Sequence, residues 1–428
     1  FNSADTKFAG LEQGKEYLLS SAEDKSAIEN ALGISLPEVG ATEAVLDFTS
    51  LLPQLMTNKG ATVTSTIEVD VKANNRWASE DATVNRVYTL KCNKPEFSIV
   101  TNPGNFWCKE FSVDSCDIKT GDIETISQKI QYQYRKKGDE QWIDCDRLVQ
   151  FDDYPVDKQY QIRAVYREGI ETEPVDVVLE TPQQLPNSDM EEWYIEEKKK
   201  SGTWPSKDKT YYTFHPYAEG NASSSWWATN NDKAQGGTYA FGIWYEGCFA
   251  SCVSYTEDAH GGTKAALMYL SGCGDGYANT AGTYVGGAMV GSLFIGTYDS
   301  GIIQGHDFGS RPTSMSFWYK YKPYNSDAFK VVVSLKNGDR EIATGTYEPA
   351  ASSEENGEYG HATVDFNYTE PFEKATSICV QFLASNKTSL SQSDFDLGTT
   401  ITYPVIGDWT VHMGSILKID DISLAFDK

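Results

Sequence analysis

Two acidic clusters bracket the C-terminal half of this chain. One lies in Asn187-Ser188-Asp189-Met190-Glu191-Glu192-Trp193, the other in Ile416-Leu417-Lys418-Ile419-Asp420-Asp421-Ile422. If the two ends occupy adjacent strands, Asp189, Glu191, Asp420 and Asp421 converge on one point. Converging carboxylates repel unless a hard cation or a basic side chain joins them, and calcium accepts about 6–8 oxygen ligands of this type. The expectation is a structural Ca2+ tying the first strand of the block to its last. Solvated acids at strand ends, or a Lys or Arg partner, are the alternatives.

Aromatic residues crowd the start of the same block: Trp193, Trp204, Tyr211, Tyr212, Trp226, Trp227, Trp244 and Tyr245. Sugars offer C–H faces that stack on flat rings, while nearby amides and carboxylates bond the hydroxyls. Trp226, Trp227, Tyr211 and Tyr212 are the candidate glycan platform, beside the polar Asn221, Asn230, Asn231 and Asp232. On a strand, one ring of the Trp226-Trp227 pair points inward and the other outward. Trp193, Trp204 and Trp244 are read as core.

Glycoside hydrolysis needs two facing carboxylates, about 5–5.5 or 6.5–9.5 Å apart. Asp394-Phe395-Asp396 puts two acids on one strand face, and Glu354, Glu355 and Glu358 share a loop. With 61 acidic residues, such pairs arise by chance. The five histidines, at 215, 260, 306, 361 and 412, form neither His-x-His nor His-Glu-x-x-His, and no Gly-x-Ser-x-Gly elbow occurs. Eight cysteines permit disulfides without showing them, and Cys248-x-x-x-Cys252 has no partner pair at zinc spacing. Buried thiols or one or two disulfides are expected.

The elements that must position these groups are mostly strands. Residues 20–33 read as a helix, capped by Ser21, acidic at Glu23 and Asp24, and stopped by Gly33. Val63, Ser65, Ile67, Val69 and Val71 alternate with polar residues, and residues 84–90 read as the return strand. Further period-two runs follow at Tyr132–Tyr134, Tyr160–Tyr166 and Val175–Leu179, with turns between them. Beyond the Pro-flanked stretch 181–186, read as a linker, strands alternate from Met315 to Tyr321, Val331 to Leu335, Ile378 to Phe382 and Ile422 to Phe426. The fold class is all-β: two immunoglobulin-like sandwich modules, 1–93 and 94–182, then one large jelly roll of the galactose-binding type, 187–428.

The formal charge of −25, from 36 basic against 61 acidic residues, argues against nucleic acid or an anionic membrane surface as partner, because both need basic patches. Apolar content of 40% with 13% aromatic residues indicates folded domains rather than a disordered chain. No apolar run reaches the ~20 residues of a membrane-spanning helix. The chain starts at Phe1 rather than Met, as expected of a processed or trimmed product.

The stretch Tyr132 to Thr172-Glu173-Pro174 resembles fibronectin type III modules. Leu185 to Trp193, Phe308-Gly309-Ser310-Arg311-Pro312 through Tyr321, and Gly414 to Ile422 together resemble the C-terminal carbohydrate-metabolism domain of Bacteroidetes surface proteins. The same opening and closing motifs are similar to those of jelly-roll carbohydrate-binding modules, with Ser188 and Met190 replacing the usual Gly and Phe. The resemblance implies an exported protein: a lipid-anchored outer-membrane or cell-surface lipoprotein, or a periplasmic or secreted one. Noncatalytic glycan binding by a monomer, with the sandwich modules as spacers, is the leading functional expectation. A glycoside hydrolase and a protein-binding adhesin or stalk subunit are the alternatives.

Overall fold

The computed structural model describes residues 11–41, 43, 45–47, 62–73, 82–93, 95–121, 123–167, 170–235, 238–240, 243–245, 250–272, 288–349 and 357–428. The protein is all-β, built of sandwiched sheets. Its chain divides into two compact units: residues 1–102, 111–149 and 159–178 form one, and residues 103–110, 150–158 and 179–428 the other.

In the first unit the helix spans Ala22–Leu32. Ser21 caps it by accepting from the Asp24 N–H, and Gly33 ends it in the left-handed region. The strands Thr62–Ala73 and Ala82–Asn93 pair antiparallel along their whole length. A further sheet runs in the order Ile170–Glu171, Gln159–Arg167, Gln131–Lys136, Ile143–Cys145. On it the Trp142 ring lies between the Arg135 and Arg163 guanidinium groups, at 4.4 and 4.1 Å, the geometry in which a ring face attracts a cation.

The second unit is a two-sheet antiparallel sandwich. One sheet runs Trp227–Thr229, Ser292–Tyr298, Ser377–Leu383, Lys330–Asn337, Arg340–Tyr347, Asn367–Tyr368; the other runs Val253–Thr256, Ala265–Ser271, Gly407–Ala425, Ser314–Lys322, Gly360–Asp365. Alternation supplies each inner face. Val331, Val333 and Leu335 from the first sheet, and Met315, Phe317, Leu417 and Ile419 from the second, are fully buried. Phe317 meets Phe382 edge-on across the interior, centroids 5.3 Å apart. Each such ring contributes about 1.5–3 kcal/mol by leaving water.

Two irregularities shape what lies on this frame. In the last strand the register against Ser314–Lys322 shifts between Ser316 and Trp318, and Asp421 takes φ 44°. This bulge breaks the alternation, so consecutive acids, Asp420 and Asp421, are both aimed away from the core. The stretch read as a linker is bonded into the second unit. The Gln184 amide exchanges two hydrogen bonds with the Leu424 backbone, the Thr181 carbonyl accepts from Ser310 Oγ, and Leu185 is buried.

Among the described residues no helix is long and apolar enough to cross a membrane.

Candidate functional site

Trp226 and Trp227 differ in burial, though Trp226 precedes the strand Trp227–Thr229 and packs partly against the same core. Trp227 is core: 2% exposed, it donates its indole N–H to the Pro186 carbonyl at 2.8 Å and has no face left for a ligand. Trp226 is half-buried and stacks on His306, with centroids 4.1 Å apart and planes 17° apart, while Phe308 meets it edge-on. Tyr212 turns to the inner side, packed with Phe214, Ser251, Tyr403, Ile406 and Trp409 around a space too small to hold a water molecule. Asn230 and Asn231 are buried staples, bonded to the backbone of Val290 and Ser292 and of Phe214 and Val253 respectively. Asn221 is exposed in a turn. The Trp244 and Tyr245 side chains lie outside the described residues.

The remaining candidates, Tyr211 and Asp232, come together with residues that sequence reasoning passed over. Tyr194–Lys200 and Lys209–His215 form an antiparallel hairpin with Tyr194 opposite His215, Glu196 opposite Thr213 and Lys198 opposite Tyr211. Ile195 and Phe214, on the other face, join the core. On the outward face the His215 ring stacks on Tyr194, at 5.9 Å and 17°, and lies 5.2 Å from Tyr217. Three half-buried rings thus follow one another across the hairpin.

Charges flank them at fixed distances. Glu196 Oε2 accepts from His215 Nε2 at 2.9 Å and lies 3.2 Å from Lys198 Nζ, which donates to Asp232 Oδ1 at 2.9 Å. Burial works to raise the Glu196 carboxyl, but the His215 and Lys198 bonds win and hold it below the usual carboxylate range. Burial likewise works to lower Lys198, and its two carboxylates outweigh it. Burial raises the Tyr211 and Tyr217 phenols, which stay neutral donors at ordinary pH.

Because Lys198 touches both acids, the Glu196 and Asp232 oxygens lie at most about 6 Å apart, near the spacing of a glycosidase pair. That chemistry also needs one acid protonated at working pH, with a raised pKa. Glu196 is shifted the other way, and a permanent cation stands between the two. The arrangement suits holding a ligand, not protonating a leaving group. Asp394 is no better as an acid: burial opposes, but Lys387 and the Ser391 N–H and hydroxyl hold it low. Asp396 and Glu358 are exposed, and Glu354 and Glu355 lie outside the described residues.

The four acids expected to converge do so in part. Asp189 is exposed on the turn Asn187–Met190, whose Ser188 carbonyl accepts from the Ile422 N–H of the last strand. Glu191, Asp420 and Asp421 all meet one loop, His260-Gly261-Gly262-Thr263-Lys264. Glu191 Oε1 accepts the Thr263 and Lys264 N–H groups at 2.5 and 2.9 Å, and its Oε2 accepts the Thr263 hydroxyl at 2.6 Å. Asp420 Oδ2 accepts the His260 and Gly261 N–H groups at 2.7 and 3.1 Å, and Asp421 Oδ2 lies 2.6 Å from His260 Nδ1.

A Cβ on Gly261 or Gly262 would strike the Asp421 or Glu191 carboxylate, and Gly262 has φ +60°. The left-handed backbone at Gly262 favours glycine, whereas at Gly261 the Asp421 carboxylate would have to swing aside. Burial raises Asp420, more than its backbone donors lower it, and the Asp421 charge adds to the rise. The side chains are calcium-type oxygen donors, but among the described residues no group of three or more His, Cys, Asp or Glu is arranged to hold a metal ion. N–H and O–H donors take the carboxylates instead. The thiols of Cys108, Cys252 and Cys379 are buried; Cys248 and Cys273 lie outside the described residues.

No protein-family model matches this chain, and no curated protein matches it in sequence. Among solved structures it is similar, at 12% identity, to a carbohydrate-binding module in complex with β-1,4-galactotriose, over 47% of this chain and 88% of that one, with a TM-score of 0.22. It is similar at 9% identity to SGBP-B from a complex xyloglucan utilization locus in Bacteroides uniformis, over 84% and 86%, with a TM-score of 0.19. The cleaved adhesin domain of Lys-gingipain is similar at 13% identity, over 47% and 90%, with a TM-score of 0.23. None of these scores carries the site, whose chemistry rests on its own residues.

Proposed function

We propose that this chain is a noncatalytic glycan-binding protein of exported type, holding polysaccharide on the outward face of the hairpin 194–215. The observation that supports it is the ring series Tyr194–His215–Tyr217 with Glu196, Lys198 and Asp232 fixed beside it. Rings supply stacking faces for sugar C–H groups, and the flanking charges supply hydrogen-bond donors and acceptors of set position. The test is a glycan array followed by affinity electrophoresis of the full chain. Tyr194→Ala with Tyr217→Ala should weaken binding of any hit by about 4- to 140-fold if each ring contributes about 0.5–1.5 kcal/mol, and no reducing sugar should be released. Release of sugar that depends on Glu196 would replace this reading with hydrolysis. Absence of any binding polysaccharide would bring the protein-binding adhesin reading to the front.

We also propose that Ca2+ binds the acids of this latch, Glu191, Asp420 and Asp421 with Asp189 on the adjoining turn, by displacing the loop donors that hold these carboxylates. The support is electrostatic. Asp420 is fully buried beside a second carboxylate, and a cation relieves that repulsion.

A further inference from the structure

We propose that the outer face of the second sheet carries a second platform, for neutral polysaccharide, distinct from the hairpin. The inference rests on the glycan-binding reading and extends it to a unit with two places of attachment.

The strand Ser314–Lys322 presents Trp318 on the face opposite the core residues Met315, Phe317 and Tyr321, and the strand Gly360–Asp365 puts the exposed His361 directly opposite Trp318. The His260 ring lies over Trp318, with centroids 3.8 Å apart and planes 12° apart, and His361 meets the same indole at 4.9 Å. Tyr359 lies edge-on to His260 at 5.7 Å. Tyr359, His260, Trp318 and His361 thus follow one another across the sheet, a longer series than the three rings of the hairpin.

The acidic latch explains why this series is ordered. His260 is exposed on a loop, but its N–H is held by Asp420, its ring by Asp421, and the next residues by Glu191. Three carboxylates from the two ends of the unit therefore hold one imidazole over one indole. Ordering a ligand-facing side chain in advance lowers the entropy cost of binding.

The charges select the ligand class. Lys320 and Lys418 stand at the Tyr359 end, but both donate to Asp258, whose backbone carbonyl also accepts from the Tyr359 hydroxyl. His260 is likewise committed to Asp421. The two ammonium groups share the one Asp258 carboxylate, and the positive charge left over stands on a face that also carries Asp420 and Asp421, in a chain of −25, so the site offers a polyanion no net positive patch. At the other end the His361 imidazole makes no hydrogen bond among the described residues and is available to a sugar hydroxyl. Rings without a net basic patch, beside a spare imidazole, suit an uncharged glycan chain.

The experiment is affinity electrophoresis of the full chain in xyloglucan, arabinoxylan and β-1,4-galactan, with polygalacturonate as the acidic comparison. Thermal melts confirm folding. In a neutral polysaccharide that retards the wild type, Trp318→Ala and His361→Ala should each weaken binding by about 2- to 12-fold. The Tyr194→Ala, Tyr217→Ala variant should keep a residual retardation that adding Trp318→Ala removes. If Trp318→Ala melts early, His361→Ala, at an exposed position, decides the matter. Wild-type retardation in both single variants, or total loss in the hairpin variant, overturns the second platform and leaves the hairpin reading intact. Preference for polygalacturonate overturns the ligand class. No retardation in any neutral polysaccharide sinks both readings.

Discussion

Arg311 donates through Nε to Glu180 Oε1 at 2.9 Å, with the guanidinium side chain wholly buried and the carboxylate nearly so. The same guanidinium donates to the carbonyls of Pro371 and Phe106 and lies 3.7 Å from the Trp107 ring, and Lys374 Nζ joins Glu180 Oε1 at 2.7 Å. Burial lowers Lys374, and Glu180 offsets part of that. Two cations thus share one acid supplied by residues just before the apparent linker. Glu180→Ala leaves both without their counter-charge and should cost about 3–5 kcal/mol in urea unfolding. Cleavage at Gln183-Gln184 should be slow in the wild type and fast in this variant. Equal stability of the two proteins would show that the pair is dispensable.

Adjacent tryptophans should behave oppositely. Trp227→Ala empties a core site against Phe382 and orphans the Pro186 carbonyl, and should cost about 3–5 kcal/mol. Trp226→Ala removes a half-buried ring whose main partner is a histidine, and should cost clearly less. Denaturation midpoints of the two variants give the comparison; similar losses would count against the division of the pair.

The latch acids should give opposite pH profiles. Burial works against Glu191, but its Thr263 and Lys264 bonds hold it low. Its stabilising contribution is therefore present above its unfolded pKa, about 4.3, and lost as pH falls through the folded value. Asp420 is raised, so its contribution is fullest below about 3.9 and is lost as pH rises through its folded value. The stability difference between wild type and Glu191→Gln should grow with pH across this window. The difference between wild type and Asp420→Asn should shrink. Parallel profiles would mean that the loop does not hold these carboxylates as described.

Calcium should raise the melting temperature of the wild type, because an ion bound to the folded form stabilises it by mass action. Chelator should reverse the gain, and Asp421→Asn should diminish it. An unchanged melting temperature on adding calcium or chelator leaves the N–H and O–H donors of the loop as the sole partners of these acids.

A Cβ at position 262 meets the Glu191 carboxylate at a left-handed φ. Gly262→Ala should therefore destabilise by more than about 1 kcal/mol and loosen His260 from Trp318. Loss of fluorescence quenching at Trp318 reads that release; an unaltered spectrum and melt would show that the loop has room to spare.

The sequence by itself determined the all-β class, the helix cap at Ser21 and stop at Gly33, and the strand alternation from Met315 to Phe426. These follow from local rules: a period of two along a strand, and the conformational freedom of glycine. Glu191, Asp420 and Asp421 were legible as a converging set because they flank the two ends of one unit, but the expected pairing of first and last strands does not occur. Tyr194–Lys200 pairs with Lys209–His215, the last strand pairs with Ala265–Ser271 and Ser314–Lys322, and the ends meet where the Ser188 carbonyl accepts the Ile422 N–H. The tertiary structure alone decided what they meet. The Gly261-Gly262 loop arrives from about 70 residues beyond Glu191 and 160 before Asp421, and the bulge that aims both aspartates outward is a register shift with no composition signal.

The outward rings show the same limit. Tyr194, Glu196 and Lys198 alternate, as do Tyr211, Thr213 and His215, so the hairpin face was open to a period-two reading. That His215 stacks on Tyr194, and His260 on Trp318, was not, because cross-strand register and loop placement set ring contacts while sequence spacing sets only which face a ring occupies. Residues 103–110 and 150–158 belong to the second unit for a similar reason: Arg311 and Glu180 hold Trp107, the Phe151 N–H donates to the Lys109 carbonyl and the Leu179 N–H to the Lys158 carbonyl, contacts that no local pattern marks.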